Sequence, residues 1–352
     1  MLLEFGFPES ENKRVGERKL TITEVAKEAG VSVATVSRVL NGEDCVREAT
    51  ARKGTDAIER LNYVPNVAAR NLRWNESRMI MVIANNFTNP YYARVLAGVG
   101  EGAEKAGYNV MMCATDGKTE TGKKYMHMLE NGLADGAILL NATENDVWIK
   151  DYAGRHPLVQ GVECVEEYVT SKVLLDHRYV GYEGVRYLAG QGHRRIAYIS
   201  ADNNFPSTRG RYAGYCEAMH ELGIEPDDSL YAVAEWNYSF ESGYRCAERL
   251  LKNENMPTAI LCVSDTLAIS VLLAAEEMGL RVPEDLSVIG CDDIEYSTMK
   301  HPFLTTFHIP KFKLGVTCAE LLIARIQDKN HEKTIQLDTP LIVRESTGKQ
   351  IK

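Results

Sequence analysis

Residues 21–41 read TITEVAKEAGVSVATVSRVLN, and the order of helix caps in that run leaves little freedom in how it folds. Thr21 and Glu24 have the S/T-x-x-E spacing of a capping box, in which two side chains satisfy two N–H groups that a first helical turn leaves orphaned. A helix therefore begins near Ile22. Gly30 suits the left-handed conformation that ends a helix and Ser32 is an N-cap for the next, so Gly30-Val31-Ser32 is the whole turn. Val25, Ala26, Ala29, Val31, Val36, Val39 and Leu40 supply the inner apolar faces. Val33, Ala34, Ser37, Arg38 and Asn41 are left for the outside of the second helix. A plain helical hairpin can have the same spacing. The outer face argues for more, because short side chains at a helix N-terminus let the backbone approach base edges in a major groove. Arg38 could there donate two hydrogen bonds to a guanine. Thr21, Thr35 and Asn41 suit phosphate contacts, which position without specifying.

Charge is distributed in agreement with that reading. The chain of 352 residues has a net charge of −9, yet residues 13–73 carry 12 Lys+Arg against 8 Asp+Glu. The basic part coincides with the proposed nucleic-acid module, and an acidic body limits non-specific adhesion to DNA. Eight scattered cysteines form no C-x-x-C and no Cys/His cluster, so reduced, mostly buried thiols are expected. No apolar run is long enough to span a membrane. The opening MLLEFGFPESENKR is interrupted by Glu4 too early for a secretory segment, which points to the cytoplasm.

From residue 79 short apolar runs alternate with amphipathic stretches. Strands are expected at 79–84, 109–113, 136–140, 158–162, 196–200, 259–263 and 286–290, and helices close on Gly107, Gly192, Gly223 and Gly279 before the next element. Repeated units of this kind give an α/β fold of parallel, doubly wound sheets with ligands beyond the strand C-termini. Gly98-Val99-Gly100-Glu101-Gly102-Ala103 satisfies G-x-G-x-x-A, but Pro90–Ala97 intervene between it and the strand, so no dinucleotide site is expected. The adjacent pairs Asp292/Asp293 and Glu166/Glu167 lack a positioned nucleophile, and His127, His156 and His301 lack ligand spacing. Nothing indicates an enzyme, a metal or a cofactor.

VAKEAGVSVATVSRVLNG followed by AIERLNYVPNVAARNLR resembles the headpiece and hinge of the lac/gal/purine repressor family. NPYYARVLAGVGEGAEKAGYNV, GQGHRRIAYIS, FESGY, PTAILCVSDTLA, GLRVPEDLSVIGCDD and HPFLTTFHIP extend the resemblance over residues 19–347. It implies a disordered extension at 1–18, an all-α helix-turn-helix headpiece at 19–64, a hinge helix and linker at 65–76, and an effector-binding and dimerisation domain at 77–352. That domain would resemble a periplasmic sugar-binding protein, with an N-subdomain at about 77–175 and 305–335 and a C-subdomain at about 176–304 and 336–352. Val33, Ala34, Ser37 and Arg38 match base-reading positions, and Leu72 matches a leucine wedge that opens a minor-groove step, with Asn66, Ala69 and Arg70 beside it. Tyr91, Tyr92, Arg211, Trp236, Ser264 and Asp292 match effector-pocket positions. The resemblance thus implies a homodimeric repressor that binds a pseudo-palindromic operator and responds to a small molecule, by family precedent a sugar or sugar derivative. Control by a corepressor or a phosphorylated protein is the alternative, and a solute-binding protein or an NAD-dependent enzyme the more distant rivals. Departures are Gly54 and Thr55 where larger residues are usual, expected to soften the third helix, and Arg47 at its N-cap. Ser264 and His177 stand where asparagine is common.

Overall fold

Both halves of the capping box are made: the Glu24 N–H donates to Thr21 Oγ1 at 3.4 Å and the Thr21 N–H to Glu24 Oε2 at 2.8 Å. They start α1 (Ile22–Ala29). Gly30, at φ 64°, ends it, and the Val31 N–H reaches back to the Ala26 carbonyl at 3.0 Å. Helix α2 (Val33–Leu40) begins on Ser32, whose Oγ accepts the Thr35 N–H at 3.1 Å. Helix α3 (Glu48–Arg60) crosses both over a small core of Val25, Ala26, Val36, Ala57 and Tyr63. In this computed structural model the described residues are 20–40, 45–64, 76–85, 87–225 and 227–350. The extension expected at 1–18 and most of the hinge segment expected at 65–76 lie outside them.

The third helix has a reason for its glycine that composition alone does not supply. Gly54 is buried, and a Cβ there would meet Val39 Cγ2 at 3.2 Å. The missing side chain lets α3 approach α2, so its cost in helix propensity is set against closer packing. Arg47 makes no side-chain capping bond. Thr55 donates its hydroxyl to the Ala51 carbonyl at 3.2 Å, and Arg60 pairs with Glu28 of α1 at 3.2 Å.

The chain divides into two compact units, residues 1–75 and 76–352. In the larger one, β1 (Met79–Ala84), β2 (Asn109–Ala114), β3 (Gly136–Asn141), β4 (Leu158–Glu163), β5 (Ser171–Leu175) and β11 (Thr334–Leu337) form a parallel sheet in the order β11-β5-β4-β3-β1-β2. A second sheet holds β6 (Ile196–Ala201), β7 (Tyr231–Ala234), β8 (Ala259–Cys262), β9 (Ser287–Asp292), β10 (Thr305–His308) and β12 (Leu341–Ile342), in the order β12-β10-β9-β8-β6-β7, with β12 antiparallel to β10. The chain crosses between the lobes after Leu175, after His308 and after Leu337. Two crossings correct the boundaries expected at residues 305 and 336: β10 pairs with β9, so residues 305–308 belong to the second lobe, and β11 pairs with β5, so Gln336 and Leu337 belong to the first.

Helices cover the sheets: α4 (Pro90–Lys105), α5 (Thr119–Glu130), α6 (Ile149–Ala153) and α11 (Lys311–Gln327) in the first lobe, and α7 (His177–Gly190), α8 (Pro206–Glu221), α9 (Phe240–Leu251) and α10 (Asp265–Glu277) in the second. Two glycines of the G-x-G-x-x-A run, Gly98 and Gly102, are packing residues, while Gly100 faces open space. A Cβ on Gly98 would fall on the Phe312 carbonyl oxygen, and one on Gly315 on the Val95 carbonyl oxygen, so α4 and α11 meet backbone to backbone. Gly181 and Gly214 join α7 and α8 in the same reciprocal way, against the carbonyls of Arg211 and Arg178.

Candidate functional site

Two sites emerge, one in each unit. On the helix-turn-helix, Ala34 and Arg38 are exposed on α2, Ser37 is half-buried, and Val33 packs partly against the core beneath it. The inward lean of Val33 differs from the fully outward position expected of it, because it sits on the first turn, directly over the α1–α2 junction. The hydroxyls of Thr21 and Thr35 are engaged in the caps, Thr35 Oγ1 lying 2.8 Å from Ser32 Oγ. Their own N–H groups are taken as well, by Glu24 and Ser32, so what each helix start offers a phosphate is the remaining N–H groups of its first turn. Asn41, Asn66, Ala69, Arg70 and Leu72 lie outside the described residues.

The second site lies between the lobes at the C-terminal ends of the strands, where a parallel α/β architecture gathers loops. Strand β4 slips register against β3 between Leu139 and Asn141, and Val162 takes φ 70°, unusual for a β-branched residue. The irregularity turns the next side chain, Glu163, into the cleft. Its carboxylate accepts the Ser207 N–H at 2.9 Å and the Ser207 Oγ–H at 2.5 Å from the start of α8, joining first lobe to second. Burial pushes the Glu163 carboxyl up, and the Ser207 bonds oppose that rise.

Asp292 closes β9 with φ 123°, and Asp293 follows at φ 53°. Strain of this kind costs of order 1–3 kcal/mol and persists only where the surroundings enforce it. Here they do. The Lys311 ammonium donates to the carbonyls of Asp292 and Asp293, Arg344 and His308 hold the Asp293 carboxylate at 2.6 and 2.8 Å, and Asp265 anchors the following loop through the Ile294 N–H at 2.9 Å and the Ser297 hydroxyl at 2.7 Å. Asp292 itself faces Arg211, whose guanidinium is 3.8 Å away and donates to the Val263 carbonyl at 2.5 Å. Burial pushes the Asp292 carboxyl up to about 7, Arg211 offsetting only part of the rise.

Aromatic groups complete the cluster. Tyr91 and Tyr92 stand edge to face at 5.3 Å, and Asn141 donates to the Tyr92 hydroxyl at 2.7 Å. Tyr238, at φ 57°, exchanges a hydrogen bond with Thr208 at 2.9 Å, and burial pushes its hydroxyl up to about 12. Burial, aided by Arg211, drives His177 down to about 3, so its ring is neutral. Among the described residues, Tyr91 Oη, His177 Nδ1 and Arg211 Nε are buried without a hydrogen-bond partner. Each such group is destabilising by about 1–3 kcal/mol until something pairs with it.

Tyr91, Tyr92, Arg211 and Asp292 are thus brought together as expected from sequence, and the other two pocket residues are not. Trp236 is 42 % exposed on the rim, while Tyr238, two residues on, reaches the cluster. Ser264 is an N-cap, its Oγ accepting the Leu267 N–H at 3.4 Å. Glu163, Ser207 and Tyr238 were missed. Among the described residues no group of His, Cys, Asp and Glu could hold a metal, and no helix is long and apolar enough to cross a membrane.

Comparison with known proteins identifies both units. Residues 21–66 match the model of bacterial regulatory proteins of the lacI family, and residues 185–347 that of a periplasmic binding protein-like domain. The HTH-type transcriptional repressor PurR of Vibrio atlanticus (strain LGP32) is 34 % identical over 334 residues, covering 94 % of this chain and 99 % of its own. The chain belongs to the lacI family. It is a DNA-binding transcription regulator with a small-molecule effector domain. Among solved structures, the lac repressor dimer bound to operator and the anti-inducer ONPF is similar at a TM-score of 0.84, with 28 % identity over 94 % of this chain and 100 % of that one. The transcriptional regulator CelR in complex with cellobiose is similar at 0.70, with 29 % identity over 93 % and 99 %.

Proposed function

We propose that this lacI-family chain is a repressor of carbohydrate genes, acting as a homodimer on a pseudo-palindromic operator and controlled by a sugar or sugar derivative bound between the lobes. It acts in the cytoplasm by binding alone, without catalysis. Ala34, Ser37 and Arg38 read base edges, and the helix N-termini at Thr21 and Thr35 hold phosphates. The observation that carries the effector reading is the buried set Tyr91, Glu163, His177, Arg211 and Asp292, with three unpaired polar atoms among tyrosine faces. Sugar hydroxyls can donate to the carboxylates and accept from Arg211, while ring C–H surfaces lie on the tyrosines. Because the cluster bridges both lobes, a ligand that pairs it better in one lobe arrangement biases that arrangement, which is the requirement for control at a distance.

The similarity to repressors named PurR favours a purine as the second reading. Fluorescence anisotropy of operator DNA, with and without sugars and purine bases, separates the two. A sugar should change operator affinity, weaker binding marking an inducer and tighter binding a corepressor. A response to purine bases alone, or one that persists in Asp292→Ala, refutes the sugar assignment.

A further inference from the structure

Toward solvent from the buried cluster, the cleft opens into a cavity of about 450 Å³. That volume alone lies within the ~300–1,000 Å³ typical of small-molecule sites, before the inner cluster is added. Three aromatic side chains line it. Trp148 lies flat against Gly122, where a Cβ would meet its Cζ2 at 3.0 Å, and its Nε1–H donates to Asp146 Oδ1 at 2.9 Å. Phe205 and Trp236 come from the other lobe, and the Trp236 carbonyl is fixed by Asn203 Nδ2 at 2.9 Å. Between them stand Asp116 and Asn145 of the first lobe and Asn204 of the second, whose side chains have no hydrogen-bond partner among the described residues.

The cavity shares walls with the inner cluster. Asn141 lines it and donates to Tyr92, and Asn203 lines it and accepts from Thr208 at 2.8 Å, the residue that bonds Tyr238. Arg209 and Glu144 pair across its edge at 2.5 and 3.0 Å, so both lobes enclose it. An exposed tryptophan beside unpaired amide and carboxylate groups is the lining a sugar ring recognises, the indole taking the C–H face and the polar groups the hydroxyls. A free purine base would occupy the inner cluster and leave the outer groups unused.

We infer that this cavity is an outer subsite for a second sugar ring, making the effector a disaccharide or longer oligosaccharide. One end of it sits among Glu163, Arg211 and Asp292, and the next ring lies against Trp236 within reach of Asp116, Asn145 and Asn204. The inference rests on the sugar reading of the cleft, and one experiment tests the two apart. The full chain is titrated calorimetrically with cellobiose, maltose, lactose, their trisaccharide homologues, the component monosaccharides, and purine bases. The expected result is a disaccharide that binds at least ~10-fold more tightly than its monosaccharide, with the ratio collapsing toward one in Trp236→Ala and falling in Asn204→Ala. A monosaccharide that binds as tightly as any disaccharide, or a ratio unchanged in both variants, overturns the outer subsite and leaves the sugar reading intact. Absence of binding by every saccharide overturns the sugar reading, and the subsite with it.

Discussion

The carboxyl of Asp292 makes the cleft sensitive to pH near neutrality. Its ordinary value is 3.8, and burial lifts it to about 7 despite Arg211 at 3.8 Å. The difference corresponds to roughly 4 kcal/mol favouring the protonated form in the folded chain. For stability, the folded state holds this proton and the unfolded state releases it between about pH 4 and 7. The contribution is fully present below the lower value and is lost as pH rises through the upper one. For the effector the sign is reversed. Hydroxyls donating to Asp292 favour the charged carboxylate, so binding at neutral pH expels a proton, and affinity should fall about tenfold per unit below pH 7. Other groups face the same space: burial raises Glu163 too, so it adds to the slope, whereas His177, held down to about 3, stays neutral throughout. Calorimetry in two buffers of different ionisation enthalpy, from about pH 6 to 8, reads both proton release and affinity. Asp292→Asn should flatten this upper window. A wild-type profile already flat there, or a slope that survives in Asp292→Asn, would falsify the assignment of the titration to this residue.

Three further outcomes are expected. Arg38→Ala should weaken operator binding by about 1–3 kcal/mol and relax preference at one base pair, read by anisotropy against single-base operator variants. Gly54→Ala should lose stability, because overpacking against Val39 costs about 1–3 kcal/mol while helix propensity returns only about 0.5–1; faster hydrogen exchange in α3 would show it, and slower exchange would mean that propensity dominates. Arg209→Ala removes an ion pair that bridges the lobes with both partners about half exposed. Effector affinity should fall by no more than about fivefold, and the difference from wild type should shrink in high salt.

Legibility followed the kind of signal each element leaves. The helix-turn-helix was readable because its caps are side chains at fixed spacing, and seven of the strands because they are mostly apolar runs bounded by turn residues. Strand β10 left no such signal: its Thr305 and Thr306 are fully buried, their hydroxyls lying 2.9 Å from Thr347 Oγ1 and 2.5 Å from Asp265 Oδ1. Strands β7, β11 and β12 are short edge strands of four, four and two residues, below the length at which alternation is diagnostic. In the cleft, Glu163 and Tyr238 are aimed by positive φ at Val162 and at Tyr238 itself, and backbone strain at non-glycine residues has no composition that betrays it. Trp236 was the more conspicuous aromatic, yet it lies on the rim. Ser264 looked like a pocket residue because it follows β8, a position that an N-cap occupies equally well.

The backbone-to-backbone docking of α4 on α11 and of α7 on α8 bears on how such a receptor can change its specificity. Four glycines at these seams leave no side chains to slide or repack, so each lobe behaves as a rigid plate carrying its strand-end loops like interchangeable fittings. Substitutions in those loops can then retune which molecule is recognised without loosening the plates. Strain from a bound ligand has few places to dissipate and is delivered to the three interlobe crossings. A chain built this way can acquire new inputs through its loops while keeping the same mechanical output.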